Sequence, residues 1–315
     1  MNTEYLIGFI LVAATVAAGL AASSMLPALG SVTAAILAGM LVGNLTSWPE
    51  KGKKGIKLCE KRLLNIAIAL MGFELEFSAA TELGGGSILV VIGVITLSIT
   101  VGLVFGRIFP LPKRLSLLLG IGNGVCGSAA IAAAAPLMKA KQEEIGISIG
   151  IVNLLGAVAI FLLPFLARIL DLDSTQSGLL VGGTVQAVGQ TLATGLRMGE
   201  EVARTAIVIK MGRVLLLGVV LIALSIAFRR EKSGGFPVPT FIVAFLVCAL
   251  AVNILPVPQA LLSLIGSVKT VLLLCAMAAI GMSIEFSSLT RHGVLALSVG
   301  AGIFAINIAL VLGLV

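Results

Sequence analysis

The chain has 315 residues, 59% of them hydrophobic and 11% charged, with a formal net charge of +7. A soluble domain carries roughly a quarter charged residues, so a deficit spread over the whole length excludes a soluble fold with one membrane anchor. One histidine and four scattered cysteines (Cys59, Cys126, Cys248, Cys275) fit no metal spacing and no disulfide framework. His292 is read as a solvated loop residue beside Arg291, so no nucleophile–base set can be assembled. The chain is expected not to be an enzyme and to hold no metal or cofactor. Its Lys and Arg sit in short loops between apolar segments, where they set topology and suggest no nucleic acid.

The N-terminal run Met1-Asn2-Thr3-Glu4-Tyr5 lacks the basic region and cleavage site of a signal peptide, so the first apolar segment is expected to be retained as a span. A helix needs about 20 apolar residues to cross the hydrocarbon core. Eleven segments qualify, near 5–22, 31–46, 62–78, 87–107, 115–138, 145–169, 176–196, 203–228, 238–255, 261–285 and 294–315. The loop 47–62 carries Lys51, Lys53, Lys54, Lys57, Lys61 and Arg62. Later basic loops carry Arg107, Lys113 and Arg114, then Arg229, Arg230 and Lys232. Alternating spans put all three on one side, which the positive-inside rule makes cytoplasmic. The N-terminus is then expected inside and the C-terminus outside.

The run Ala69–Gly84 (ALMGFELEFSAATELG) recurs without a gap, 209 residues later, as Ala278–Gly293 (AAIGMSIEFSSLTRHG). Gly72, Glu76, Phe77, Ser78 and Thr81 match Gly281, Glu285, Phe286, Ser287 and Thr290. Asn44 falls on Asn253. Chance likeness between apolar helices would match Leu and Ala rather than Asn, Glu, Ser and Thr, so this reads as a duplication, with copies at about 31–107 and 238–315. An odd number of crossings between them predicts opposite orientation, the inverted repeat common in secondary transporters. Glu76 and Glu285, at symmetric positions, are candidate coupling residues for H+ or Na+, although a carboxylate at a membrane edge has a purely structural reading too.

Two segments are interrupted. Gly120-Ile-Gly-Asn123-Gly124-Val-Cys126-Gly127-Ser128, within 115–138, makes a poor helix. The Ala run after it predicts a half-helix whose N-terminal amides attract anions. Gly182-Gly-Thr-Val-Gln186-Ala-Val-Gly-Gln190-Thr191, within 176–196, mixes glycine with neutral donors. Gln186, Gln190 and Thr194 are expected on one helical face. Each segment either crosses fully or forms a re-entrant hairpin. Lys210 and Arg213 lie i, i+3 inside a span with no carboxylate within a turn. They read as an anion site, as a structural ion pair to Glu74, Glu76 or Glu285, or as cations snorkelling to the membrane edge.

The runs Gly120–Ala140, Gly178–Gly195, Ile209–Leu217 and Ala276–Leu289, in this order, resemble the YeiH-type sulfate exporters of the bacterial inner membrane. The likeness covers most of the chain from about residue 31. It implies one transmembrane transporter domain over 1–315, all-α, with inverted repeats loosely like those of bile-acid symporters and sodium–proton antiporters. Cys126-Gly127 matches the family's Cys-Gly pair, and Lys210 with Arg213 its Lys-x-x-Arg pair. Where family members commonly place His followed by an acidic residue, this chain has Gln186-Ala187, which removes a titratable pair. The expectation is a secondary transporter of a small anion (sulfate, a sulfonate or a small carboxylate) in the cell inner membrane. Asn123, Gly124, Cys126, Gly127, Ser128, Gln186, Gln190, Thr194, Lys210 and Arg213 are the candidate binding residues. A homodimer is compatible with these features. A proton- or sodium-coupled carrier of a neutral or cationic solute, and a channel, are the alternatives.

Overall fold

The computed structural model describes residues 3–25, 31–46, 51–74, 85–228, 240–284 and 286–314, and these contain helices and no strand. The helices are α1 (Thr3–Met25), α2 (Ser31–Leu45), α3 (Lys53–Leu58), α4 (Leu64–Leu70), α5 (Gly85–Ile108), α6 (Lys113–Gly124), α7 (Ser128–Met138), α8 (Gln142–Ile169), α9 (Ser174–Thr184), α10 (Val188–Met198), α11 (Glu200–Leu215), α12 (Leu217–Ala227), α13 (Thr240–Ile254), α14 (Gln259–Met282) and α15 (Phe286–Leu314). A π-helical turn, Cys59–Leu63, joins α3 to α4, and a 3-10 turn, Met71–Glu74, follows α4.

Among the described residues, six helices are long and apolar enough to cross a membrane: Glu4–Met25, Ser87–Ile108, Gln142–Ile169, Glu200–Ala227, Gln259–Met282 and Gly293–Leu314. Shorter apolar helices occupy Ser31–Leu45, Ser128–Met138 and Thr240–Ile254. The polarity pattern is that of a protein whose solvent is lipid. Leu89, Phe161 and Ile254 are 65%, 62% and 72% exposed, while Lys210 and Arg213 are 0% exposed. The chain is a multi-pass membrane protein.

Two expectations are corrected. The basic stretch read as a loop over 47–62 is helical from Lys53 onward, because Lys and Glu are good helix formers. Arg291 and His292 fall within α15 rather than in a loop.

The chain forms two compact units. The first comprises Met1–Leu75, Lys139–Ile147 and Ser225–Gly293. Here α2 crosses α14 and α13 crosses the Met71–Glu74 turn, both through glycine. A Cβ on Gly281 would collide with the Ile36 carbonyl and approach the Gly39 Cα. A Cβ on Gly72 would collide with the Phe245 carbonyl and approach the Cys248 Cβ. Ile36, Gly39 and Gly281 of the one crossing become Phe245, Cys248 and Gly72 of the other by a shift of 209 residues, the same interval that separates Ser98 from Asn307. The bounds of α2 and α13 differ by that interval as well. Asn44 donates to the Met40 carbonyl and Asn253 to the Ala249 carbonyl, again in matching register. Without hydrophobic drive between helices in lipid, close approach at small residues is what holds such crossings.

The second unit comprises Glu76–Met138, Ser148–Leu224 and Val294–Val315. Rising along α6, Gly120 and Gly124 meet Ser98 and then Ile95, while Gly102 of α5 meets Ser116, so α5 and α6 run antiparallel. On α11 the register is informative. Gly178 abuts Val202 and Thr205, and Gly182 abuts Ala206 and Ile209, so α9 runs in the direction of α11. Gly195 abuts Ala203, and α10 joins α11 through a single residue, Gly199, so α10 runs against α11. Residues 178 and 195 therefore share one level, and α9–α10 is a hairpin flanking α11. The α6–α7 pair also reverses. Gly122 touches Ile131, nine residues on, although nine residues of continuous helix would separate them by about 13 Å.

Replacing Gly281 by Leu is expected to force α14 off α2 at a cost of about 1–3 kcal/mol, the range for overpacking. Gly266→Leu meets nothing within 4 Å of its Cβ and is expected to be near neutral. Thermal unfolding of the detergent-solubilised variants checks the difference.

Candidate functional site

The site is built from two chain breaks and two cations, all in the second unit. A helix leaves its last four carbonyls without intrahelical partners, and in lipid no water satisfies them. At the end of α6, the amides of Val125 and Gly127 take the carbonyls of Ile121 and Gly122 at 2.9 and 3.0 Å. The next three carbonyls go to side chains of α11. The Arg213 guanidinium donates through Nη2 to Asn123 and through Nε to Gly124 at 2.8 Å, and Lys210 Nζ donates to Val125 at 2.8 Å.

The end of α9 repeats this arrangement. The Val185 amide takes the Val181 carbonyl at 3.0 Å. Arg213 Nη1 donates to Gly182, Gly183 and Val185 at 2.9, 2.8 and 3.0 Å, and Lys210 Nζ also reaches Val185 at 2.8 Å. Three carbonyls from each break thus converge on the two cations. This explains how two like charges sit one helical turn apart at 0% exposure. The negative ends of two helix dipoles face them, and the planar Arg fork serves both ends at once.

The breaks are also tied by side chains. Asn123 Nδ2 donates to the Leu119 carbonyl at 2.9 Å, leaving its Oδ1 to accept from Gln186 Nε2 at 3.0 Å. Gln186 is not part of a helical stripe with Gln190 and Thr194, because it lies in the extended break before Ala187, the residue that caps the start of α10 at Val188. Gln190 instead donates to the Asn153 carbonyl at 3.1 Å and takes the Ala187 amide. Thr194 bonds back to the Gln190 carbonyl at 2.7 Å, nearly two turns into α10 and apart from the breaks. Gly127 adopts φ +73°, left-handed backbone that favours glycine, and its Cα faces the Gln186 backbone. Cys126 is buried beside it and forms no disulfide.

The two kinds of helix end differ in access. Residues 121–127 and 181–186 are buried, whereas Ser128, Ala129, Ala187, Val188 and Gln190 are half-buried and Gly189 is exposed. The carbonyl ends are sealed on cations, and the amide ends of α7 and α10 reach accessible surface. Two buried side-chain oxygens lack a partner among the described residues, Gln186 Oε1 here and Gln142 Oε1 in the first unit.

Of the carboxylates weighed as partners for the cations, Glu74 pairs with Lys269 instead. Glu76 and Glu285 lie outside the described residues. Sequence reading missed Ser98 and Asn307, which exchange hydrogen bonds at 2.8 and 3.2 Å against the last turns of α6. Their separation equals the repeat interval, but Ser and Asn do not align as alike. It also missed the bond from Gln142 to Glu60, which no local motif announces.

A family model described as "Conserved hypothetical protein 698" matches residues 6–300. A UPF0324 membrane protein of Agrobacterium fabrum is 39% identical over 292 residues, covering 90% of this chain and 81% of that protein. One of Bartonella henselae is 36% identical over 269 residues (84% and 77%). One of Staphylococcus aureus is 32% identical over 273 residues (85% and 82%). With the match spanning nearly the whole helical array, the chain belongs to the conserved hypothetical protein 698 family, the UPF0324 membrane proteins.

Proposed function

We propose that the chain is a secondary transporter of a small anion that works by alternating access. The observation that carries this reading is the asymmetry at the breaks. Lys210 and Arg213 neutralise the carbonyl ends of α6 and α9, so the exposed amide ends of α7 and α10 are left as the net positive elements. Asn123, Gly124, Cys126, Gly127 and Ser128 shape one amide end, and Gln186 and Gln190 the other. Lys210 and Arg213 act by holding the two breaks rather than by touching the solute. The resemblance to sulfate exporters makes sulfate, sulfonates and small carboxylates the probes of choice.

In this proposal the interrupted segments are re-entrant hairpins entering from opposite faces. Gln142, which follows α7, bonds to Glu60. Glu60 is seven residues, about 10 Å of helix, from Lys53, and the neighbouring Lys54 pairs with Glu4 at the N-terminus. On this reading the chain after α7 is back on the cytoplasmic side, the side of Glu60 and the N-terminus. The basic residues Lys139 and Lys141 then join the cytoplasmic set, while the acidic stretch Asp171–Asp173 moves outside, in keeping with the positive-inside rule. The N-terminus stays inside and the C-terminus outside. The reciprocal glycine crossings are read as the inverted repeat that transporters build around such breaks.

Gly189 sits in the first turn of α10 with nothing within 4 Å of an added Cβ. Gly189→Asp is expected to leave folding intact while its carboxylate competes for the amide end. In proteoliposomes, saturable sulfate or sulfonate counterflow should fall at least about tenfold, or 1.4 kcal/mol, with Gly189→Ala unaffected. Full flux in Gly189→Asp would remove α10 from the site.

Arg213→Ala orphans four carbonyls, those of Asn123, Gly124, Gly182 and Gly183, at about 1–3 kcal/mol each, while Val185 keeps its bond from Lys210. The substitution is expected to abolish flux and to lower the unfolding temperature sharply; a stable, active variant contradicts the holding role.

The hairpin topology is checked by single cysteines in a background without native ones. Lys141→Cys should react with a membrane-impermeant thiol reagent only from the cytoplasmic side, and Thr175→Cys only from the outside. Two full crossings require the reverse.

A further inference from the structure

The polarity of one buried atom narrows the solute class, on the anion reading above. The Leu119 carbonyl accepts from Asn123 Nδ2, which fixes the orientation of that amide and turns Oδ1 towards Gln186. Gln186 must therefore present Nε2 to Asn123, and its Oε1 is what remains. That oxygen is buried in a side chain of 0% exposure and has no partner among the described residues. A buried acceptor left without a donor is costly, and one at a chain break is where a ligand would complete the bonding.

Its position connects it to both amide ends. Gln186 lies two residues before α10, and its backbone faces Gly127, the residue before α7. The amide ends favour negative charge, whereas Gln186 Oε1 calls for a hydrogen-bond donor.

We infer that Gln186 Oε1 accepts a hydrogen bond from the transported solute, and that this solute is a small anion bearing a hydroxyl or amino group beside its acidic group. A fully deprotonated oxyanion such as sulfate offers no donor and sets its own oxygens against Oε1. Sites with a buried polar group reject analogues that leave it unpaired.

The test uses the purified full-length protein and matched probes differing by one hydroxyl: 2-hydroxyethanesulfonate against ethanesulfonate, and lactate against propionate. Thermal unfolding is followed against probe concentration, since a ligand of the folded state stabilises by mass action. The hydroxylated member of at least one pair is expected to reach its half-maximal shift at about a five- to tenfold lower concentration. In Gln186→Leu the preference should vanish. Equal shifts within both pairs in the wild type overturn the acceptor role and leave the anion reading standing. No shift from any of these probes or from sulfate overturns the anion reading, and the inference with it. The wild-type comparison decides the matter even where the Leu variant does not fold.

Discussion

Two cations on one turn of α11 hold the second unit together at its centre. Lys210 and Arg213 gather six main-chain carbonyls, three from each chain break. Broken helices at membrane depth are tolerated only when their freed polar groups find partners. A guanidinium and an ammonium supply those partners, and the carbonyl dipoles in turn offset the charges. Neither arrangement is tenable alone: buried cations with no acid beside them among the described residues need the carbonyls, and orphaned carbonyls in an apolar interior need donors.

From this constraint the rest of the site follows. Sealing the carbonyl ends fixes where the chain turns, at residues 125–127 and 185–187. The helices that restart there, α7 and α10, begin with amides that no preceding turn can satisfy. Glycine appears where the backbone demands it. Gly127 supplies the left-handed turn, and Gly178, Gly182 and Gly195 let α9 and α10 lie close on α11. Asn123 and Gln186 lock the two breaks in register, and the Ser98–Asn307 pair buttresses the last turns of α6.

Much of this was legible in the residues. Hydropathy located the apolar helices, because lipid as solvent leaves a direct compositional mark. The 209-residue periodicity located Gly72, Gly281, Asn44 and Asn253, which the structure places in matching contacts. Dense glycine with Asn and Ser marks the first break, and glycine with Thr and Gln the second. The partners of Lys210 and Arg213 were not legible. Main-chain carbonyls carry no sequence signature, so residue types alone point to side-chain carboxylates or an anion as the partners. The direction of each half-helix was equally hidden. A hairpin and a crossing have the same composition, whereas the contacts of Gly178 and Gly195 on α11 show that α9 and α10 run in opposite directions. Spacing alone puts Gln186 on a helical stripe, because the start of α10 at Val188 depends on a break that periodicity does not see.

An electron-cryomicroscopy structure of the protein in lipid nanodiscs, at a resolution that shows carbonyl oxygens, tests the central claim most directly. The account predicts the Arg213 guanidinium lying between the carbonyls of Gly124 and Gly183, with the chain reversing at Gly127. Arg213 paired with a carboxylate or turned to headgroups, or an unbroken helix through residues 120–128, would contradict it.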